Sequence, residues 1–197
     1  MSASGALPYE VRIYGSYFVA EFRGEMEAGA KRDSQSFSAL AKYIGVFGTP
    51  ENEKGESLAM TSPVVTGNRE PQKLAMTSPV ISGEYMQFVL PFEYTKIESI
   101  PRPLNENIHI KAVPRKCVAV TTFSGFHNER LCKEKFDKLY QLVKGKLLDP
   151  KAAPKWSVAQ YHPPFTLPFL RKNEVWIELP ENSDITKLIE AAAPTVE

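Results

Sequence analysis

The sequence predicts an α+β fold made of two similar halves, each a strand-strand-helix-strand-strand run with its helix on one face of an antiparallel sheet. Three observations lead there. Short alternating strand patterns precede an amphipathic helix in each half, and the order of elements repeats. The sixteen prolines cluster at expected strand ends, where a missing ladder donor is tolerated. The halves are expected to pack as a pseudo-twofold domain over residues 9–180. Residues 1–8 are expected to be disordered, and 181–197 to form a tail with a short helix from Asp184 to Ala192.

In the first half, Tyr9–Tyr14 alternates strictly and Tyr17–Phe22 is strand-like. The two-residue link Gly15-Ser16 predicts a hairpin between them. Asp33 or Ser34 can cap a helix whose apolar face is Phe37, Leu40, Ala41 and Ile44, ended by Gly45 and Gly48. A polar loop, Thr49–Glu56, leads into a doubled segment. Leu58-Ala-Met-Thr-Ser-Pro-Val-Val65 returns as Leu74-Ala-Met-Thr-Ser-Pro-Val-Ile81, with turn formers Gly67-Asn68 and Glu70-Pro71 between. β-branched ends and a Pro near the start of each copy predict two neighbouring strands. Tyr85–Leu90 is the next strand, closed by Pro91, and Phe92–Asn107 is an irregular crossover.

The second half copies the first. Ile110–Val113 and Cys117–Thr121 read as a hairpin about Pro114-Arg115. A helix from about Asn128 to Lys144 turns Leu131, Phe136, Leu139, Leu142 and Val143 inward, and Gly145 can end it. Ser157–Tyr161 and Glu174–Leu179 are the last strands, joined by His162-Pro-Pro-Phe-Thr-Leu-Pro-Phe-Leu170.

Composition excludes several classes. A net charge of +1 over 197 residues leaves no footprint for nucleic acid. No apolar run approaches the ~20 residues of a membrane helix. The first eight residues show neither an apolar nor a basic amphipathic leader, so a cytoplasmic location is expected, with the chloroplast as the alternative if a transit segment was trimmed. Cys117 and Cys132 have no metal-type spacing, which fits a reducing compartment.

No catalytic motif is present: no G-x-S-x-G elbow, P-loop, H-E-x-x-H or G-x-G-x-x-G. Of the three histidines, His109 reads as a strand surface or packing residue, and His127 sits just before the second helix. His162 lies on a loop where it can reach a ligand. Met60 and Met76 suit adaptable core filling. More telling is the connector, where Phe165, Leu167, Phe169 and Leu170 are followed by Arg171 and Lys172. An apolar wall ending in cations suits a flat, hydrophobic, carboxylated ligand. The alternative is a loop whose aromatics cap the end of the sheet while Arg171 is solvated.

The doubled Leu-Ala-Met-Thr-Ser-Pro-Val at 58–64 and 74–80, Val113-Pro114-Arg115 before a strand ending in Phe123-Ser124-Gly125, and the run from Ala159 to Trp176 resemble the SOUL/heme-binding protein family. The doubled form is similar to plastid-type plant and algal members and to bacterial ones. The resemblance implies a distorted antiparallel β-barrel flanked by two helices. It also implies non-enzymatic binding of heme or other tetrapyrroles in a shallow hydrophobic groove, as a carrier or buffer. Carried onto this chain, the groove involves Phe37, Leu40, Ala41 and Lys42 on the first helix and the Phe165–Arg171 connector. Lys42, Arg171 or Lys172 would pair with propionates. Two departures argue against coordinated iron: no histidine precedes His109, and Thr166-Leu167 replace the basic residue other members carry in the Pro-Pro loop. Two rival readings differ in class. One is a small-molecule hydrolase, by likeness to the gyrase-inhibitory/drug-binding fold, with Glu174 as base unless it is ion-paired with Arg171. The other is an interaction module docking a protein through residues 165–170 or the C-terminal region.

Overall fold

A computed structural model describes residues 8–23, 30–67, 85–126, 128–151, 153–162 and 166–180, with side chains from residue 34 onward in the first helix. Its strands are β1 (Glu10–Tyr14), β2 (Tyr17–Phe22), β3 (Val64–Gly67), β4 (Tyr85–Val89), β5 (Ile108–Val113), β6 (Lys116–Phe123), β7 (Trp156–Gln160) and β8 (Asn173–Leu179). The helices are α1 (Ala30–Ile44) and α2 (Glu129–Val143). The second copy of the doubled segment, His127, Phe165 and the expected C-terminal helix lie outside the described residues.

All eight strands form one antiparallel sheet in the order β1-β6-β8-β7-β3-β4-β2-β5. Exchanging the first four strands for the last four reproduces this order in reverse. The two expected hairpins do not form: β1 pairs with β6, and β2 pairs with β5. Gly15-Ser16 and Pro114-Arg115 are crossings instead of turns. The physical reason is the curl of the sheet. β1 and β2 stand six strand spacings apart in the order, about 29 Å in a flat sheet. Yet only Gly15 and Ser16 separate them, a reach of roughly 11 Å. The sheet must therefore bend until its two edges approach. The result is a curled, barrel-like sheet, and among the described residues no ladder joins β1 to β5.

Period-two alternation divides the buried residues between the faces. Cys117, Ala119, Val158, Val175 and Ile177 meet Cys132, Phe136, Leu139 and Val143 of α2. Ala20, Phe22, Met86, Phe88 and Ile108 meet Leu40, Ala41, Tyr43 and Ile44 of α1. The alternate residues Val65, Val118, Val120, Ala159 and Trp176 form a third cluster on the face away from both helices, which is the concave side.

α2 begins as expected: Asn128 Oδ1 accepts from the Leu131 N–H at 2.8 Å, and Glu129 lies in the first turn. α1 begins a turn earlier than expected, at Ala30, so Asp33 and Ser34 lie inside it instead of at its start. Gly45, at φ 86°, ends that helix, where a side chain would be strained. Pro63 precedes β3, as a strand-start proline should. Phe92–Asn107 is irregular apart from a short 3₁₀ turn at Ile97–Ser99. Cys117 and Cys132 are both buried and carry no disulfide.

Candidate functional site

The connector between β7 and β8 leaves the sheet at Gln160 and returns at Asn173. Proline cannot continue a ladder, and Pro168 opens a 3₁₀ turn, Pro168–Leu170, that holds its apolar side chains outward. Leu167, Phe169 and Leu170 are 56%, 71% and 58% exposed. The turn is anchored to the loop after β6. Gly125 N–H donates to Pro168 O at 2.8 Å, and Asn173 Nδ2 donates to Gly125 O at 3.0 Å. This brings in Phe126, itself 60% exposed, with the Arg171 guanidinium 4.7 Å from its ring centroid. Arg171 Nε also donates to Thr166 O at 2.7 Å, so the cation is fixed over the aromatic ring. Phe126 carries no local signal in the sequence; only the fold brings it beside the connector.

The other expected residues are distributed differently. Phe37 packs edge-on against Phe88, 5.4 Å between centroids, and remains partly accessible. Leu40 and Ala41 have no exposed surface and belong to the core beneath α1. Lys42 is exposed, with Glu51 at 3.9 Å. α1 packs on β2 and β4, whereas the connector packs on the β6–α2 loop. The two expected walls therefore belong to different halves, and no described hydrogen bond, ion pair or ring contact joins them.

His162 is exposed, and its Nδ1 accepts the Lys172 backbone N–H at 3.0 Å. That contact occupies the lone pair of Nδ1. Among the described residues no group of His, Cys, Asp and Glu is arranged to hold a metal ion. A macrocycle held by apolar contact and cations fits the connector residues, and an axial bond from His162 would first have to break its contact with the Lys172 N–H.

Glu174 occupies the concave face rather than the connector. Its partner is not Arg171: Arg12 Nη1 and Lys172 Nζ each lie 3.0 Å from Oε1. Tyr161 Oη and Trp176 Nε1 donate to Oε2 at 2.7 and 2.8 Å. Burial works to raise its pKa, but the hydrogen bonds from Trp176, Tyr161, Lys172 and Arg12 outweigh burial and hold the carboxyl below its ordinary value. A fully engaged, buried carboxylate is a poor general base, which must take up a proton near the working pH. Glu21, 2% exposed, is a second such centre, with Lys111 Nζ and Gln87 Nε2 both at 2.7 Å and Arg23 alongside. Across the concavity, burial and then neighbouring charges, including Glu178, push the Tyr17 and Tyr85 hydroxyls up, Tyr85 to about 12.

A curled antiparallel sheet with two outer helices defines a small α+β domain. The SOUL heme-binding protein model matches residues 3–178, and the chain belongs to that family. Among curated proteins none matches. The fold is similar to the C-terminal domain of EcmrR, with TM-score 0.58 and 10% identity over 88% of this chain and 98% of that one. It is also similar to an uncharacterized conserved protein from Listeria innocua, with TM-score 0.55 and 11% identity over 87% and 92% of the two chains. A hydrolase encoded by lin2189 from the same organism gives TM-score 0.54 and 10% identity over 87% and 91%. At these identities the likeness concerns the fold alone.

Proposed function

We infer that the protein binds heme or a related tetrapyrrole non-covalently in a shallow hydrophobic groove, as a carrier or buffer and not as an enzyme. The observation that carries this reading is the exposed cluster of Leu167, Phe169, Leu170 and Phe126, with Arg171 stacked at its edge. A contiguous apolar patch bounded by cations is a binding surface by default. Membership of the SOUL heme-binding family supports the ligand class. The apolar side chains take the macrocycle face, and Arg171 and Lys172 pair with its propionates. Phe37 and Lys42 supply a second, smaller contact. Leu40 and Ala41 support Phe37 from below and touch no ligand. Affinity comes from apolar contact, without an axial bond from His162. We also read the halves as pseudo-twofold related, supported by the reversible strand order.

The test is a titration with hemin and, separately, metal-free protoporphyrin IX, followed by the Soret band. Both should saturate at about one equivalent of a single groove. Phe169→Asp with Leu170→Asp should weaken both, and His162→Ala should change neither. Absence of saturable binding of either ligand would overturn the reading and leave the patch as a protein-docking surface.

A further inference from the structure

Strand β3 lies between β4 and β7, and what that seat requires can be read residue by residue. Leu58 is 6% exposed in the core beneath α1, and its N–H donates to Ile44 O at 3.0 Å. Thr61 Oγ1 donates to Val89 O, and Ser62 Oγ donates to Tyr161 O at 3.3 Å. Val64–Gly67 then pair with both neighbouring strands, with Val65 buried among Val118, Val120, Ala159 and Trp176. At the last position a side chain would have to displace the end of Tyr85. A Cβ on Gly67 would meet the Tyr85 hydroxyl and would lie 2.8 Å from Tyr85 Cζ and 3.2 Å from Ser157 Cβ.

The sequence meets these requirements twice. Leu58–Gly67 and Leu74–Gly83 differ only at Val65/Ile81 and Thr66/Ser82. Leu74, Thr77, Ser78, Pro79 and Ile81 each answer a residue the seat uses. We propose that the β3 seat is a binding groove with two occupants in the same chain. Segment 58–67 fills it in this structure, and segment 74–83 displaces it in a second form of the fold.

Chain geometry is compatible with both forms. Ile81 opposite Gln87 and Ser82 opposite Met86 keep the β3–β4 register. Gly83-Glu84-Tyr85 is then a three-residue loop, a common hairpin length, replacing the present Gly67–Tyr85 pair. The exchange moves residues from the β3–β4 connection to the α1–β3 connection. Closure cost grows only with the logarithm of length, so the balance shifts by about tenfold or less. The extra methylene of Ile81 at the packed Val65 position biases the seat toward the first segment without barring the second.

Cysteine pairs read the occupant directly. Thr66 and Val158 are register partners, so Thr66→Cys with Val158→Cys reports the first segment and Ser82→Cys with Val158→Cys the second. After mild oxidation and peptide mass mapping, both pairs should link. The Ser82 pair should link as the minor fraction, rising when Val65→Asp puts a charge in the first segment. Val65→Asp alone and Ile81→Asp alone should each keep cooperative unfolding, and the double variant should lose it. The proposal is overturned if the Ser82 pair links in neither background. It is equally overturned if Val65→Asp alone unfolds as completely as the double variant.

Discussion

Replacing Glu174 by Gln preserves shape and removes one charge from a carboxylate engaged on both oxygens. Oε2 accepts from Tyr161 and Trp176, while Oε1 faces Arg12 and Lys172. An amide has one acceptor atom, so it can satisfy one pair only, and its NH₂ is left facing donors on the other side. Removing one partner from a buried ion pair costs about 3–5 kcal/mol. Arg12 and Lys172 are 27% and 44% exposed, so solvent recovers part of that cost. The net loss is about 3 kcal/mol, or roughly 6–12 °C in melting temperature for a chain of this size. Urea and thermal unfolding of the two proteins at neutral pH measure it. The pH dependence has a definite sign. The folded pKa of Glu174 lies below its ordinary value, so its stabilisation is present above the unfolded carboxylate pKa of about 4.3 and is lost as pH falls through the folded value. The gap between the two proteins should therefore close in acid. A gap below about 0.5 kcal/mol at neutral pH would refute the reasoning, since that is the scatter of ordinary surface changes.

Two further substitutions separate core from groove. Leu40→Ala, at a position with no exposed surface, should cost about 2–5 kcal/mol in unfolding experiments. The protein that remains folded should bind protoporphyrin with unchanged affinity, and a matching loss of affinity would place Leu40 in the groove after all. Asn128→Ala removes the side-chain acceptor of the Leu131 N–H and should cost about 1 kcal/mol in urea, with no effect on ligand titration.

The elements are legible in the sequence because each carries a local pattern, whereas their pairing is not a local property. The helical spacing of Phe37, Leu40, Ala41 and Ile44 marks the inner face of α1, and Phe136, Leu139 and Val143 mark that of α2. Tyr43, fully buried with its hydroxyl donating to Pro101 O at 2.8 Å, escapes that pattern because a tyrosine beside Lys42 looks amphipathic. The links Gly15-Ser16 and Pro114-Arg115 have hairpin lengths, and hairpin turns are their natural reading. What defeats that reading is the curl, which brings a distant strand closer than sequence distance suggests. Each first strand therefore finds its partner in the other half.

The same distinction governs the site. Leu167, Phe169, Leu170 and Arg171 are legible as a run, because a proline-broken connector cannot bury them all. Phe126 and Arg12 are not, since each acquires its role from a neighbour far away in the chain. Arg12 shows how the curl links fold to chemistry. It is a polar position on an alternating strand, and in a flat sheet facing solvent it would need no partner. Here β1 lies two strands from β8 on the concave side, and Arg12 becomes a counterion of Glu174. Lys111 of β5 reaches Glu21 on the directly paired strand β2. In each half a strand that pairs across the halves thus carries a cation to a buried carboxylate. Removing either carboxylate should therefore loosen the contact between halves before it disturbs either helix.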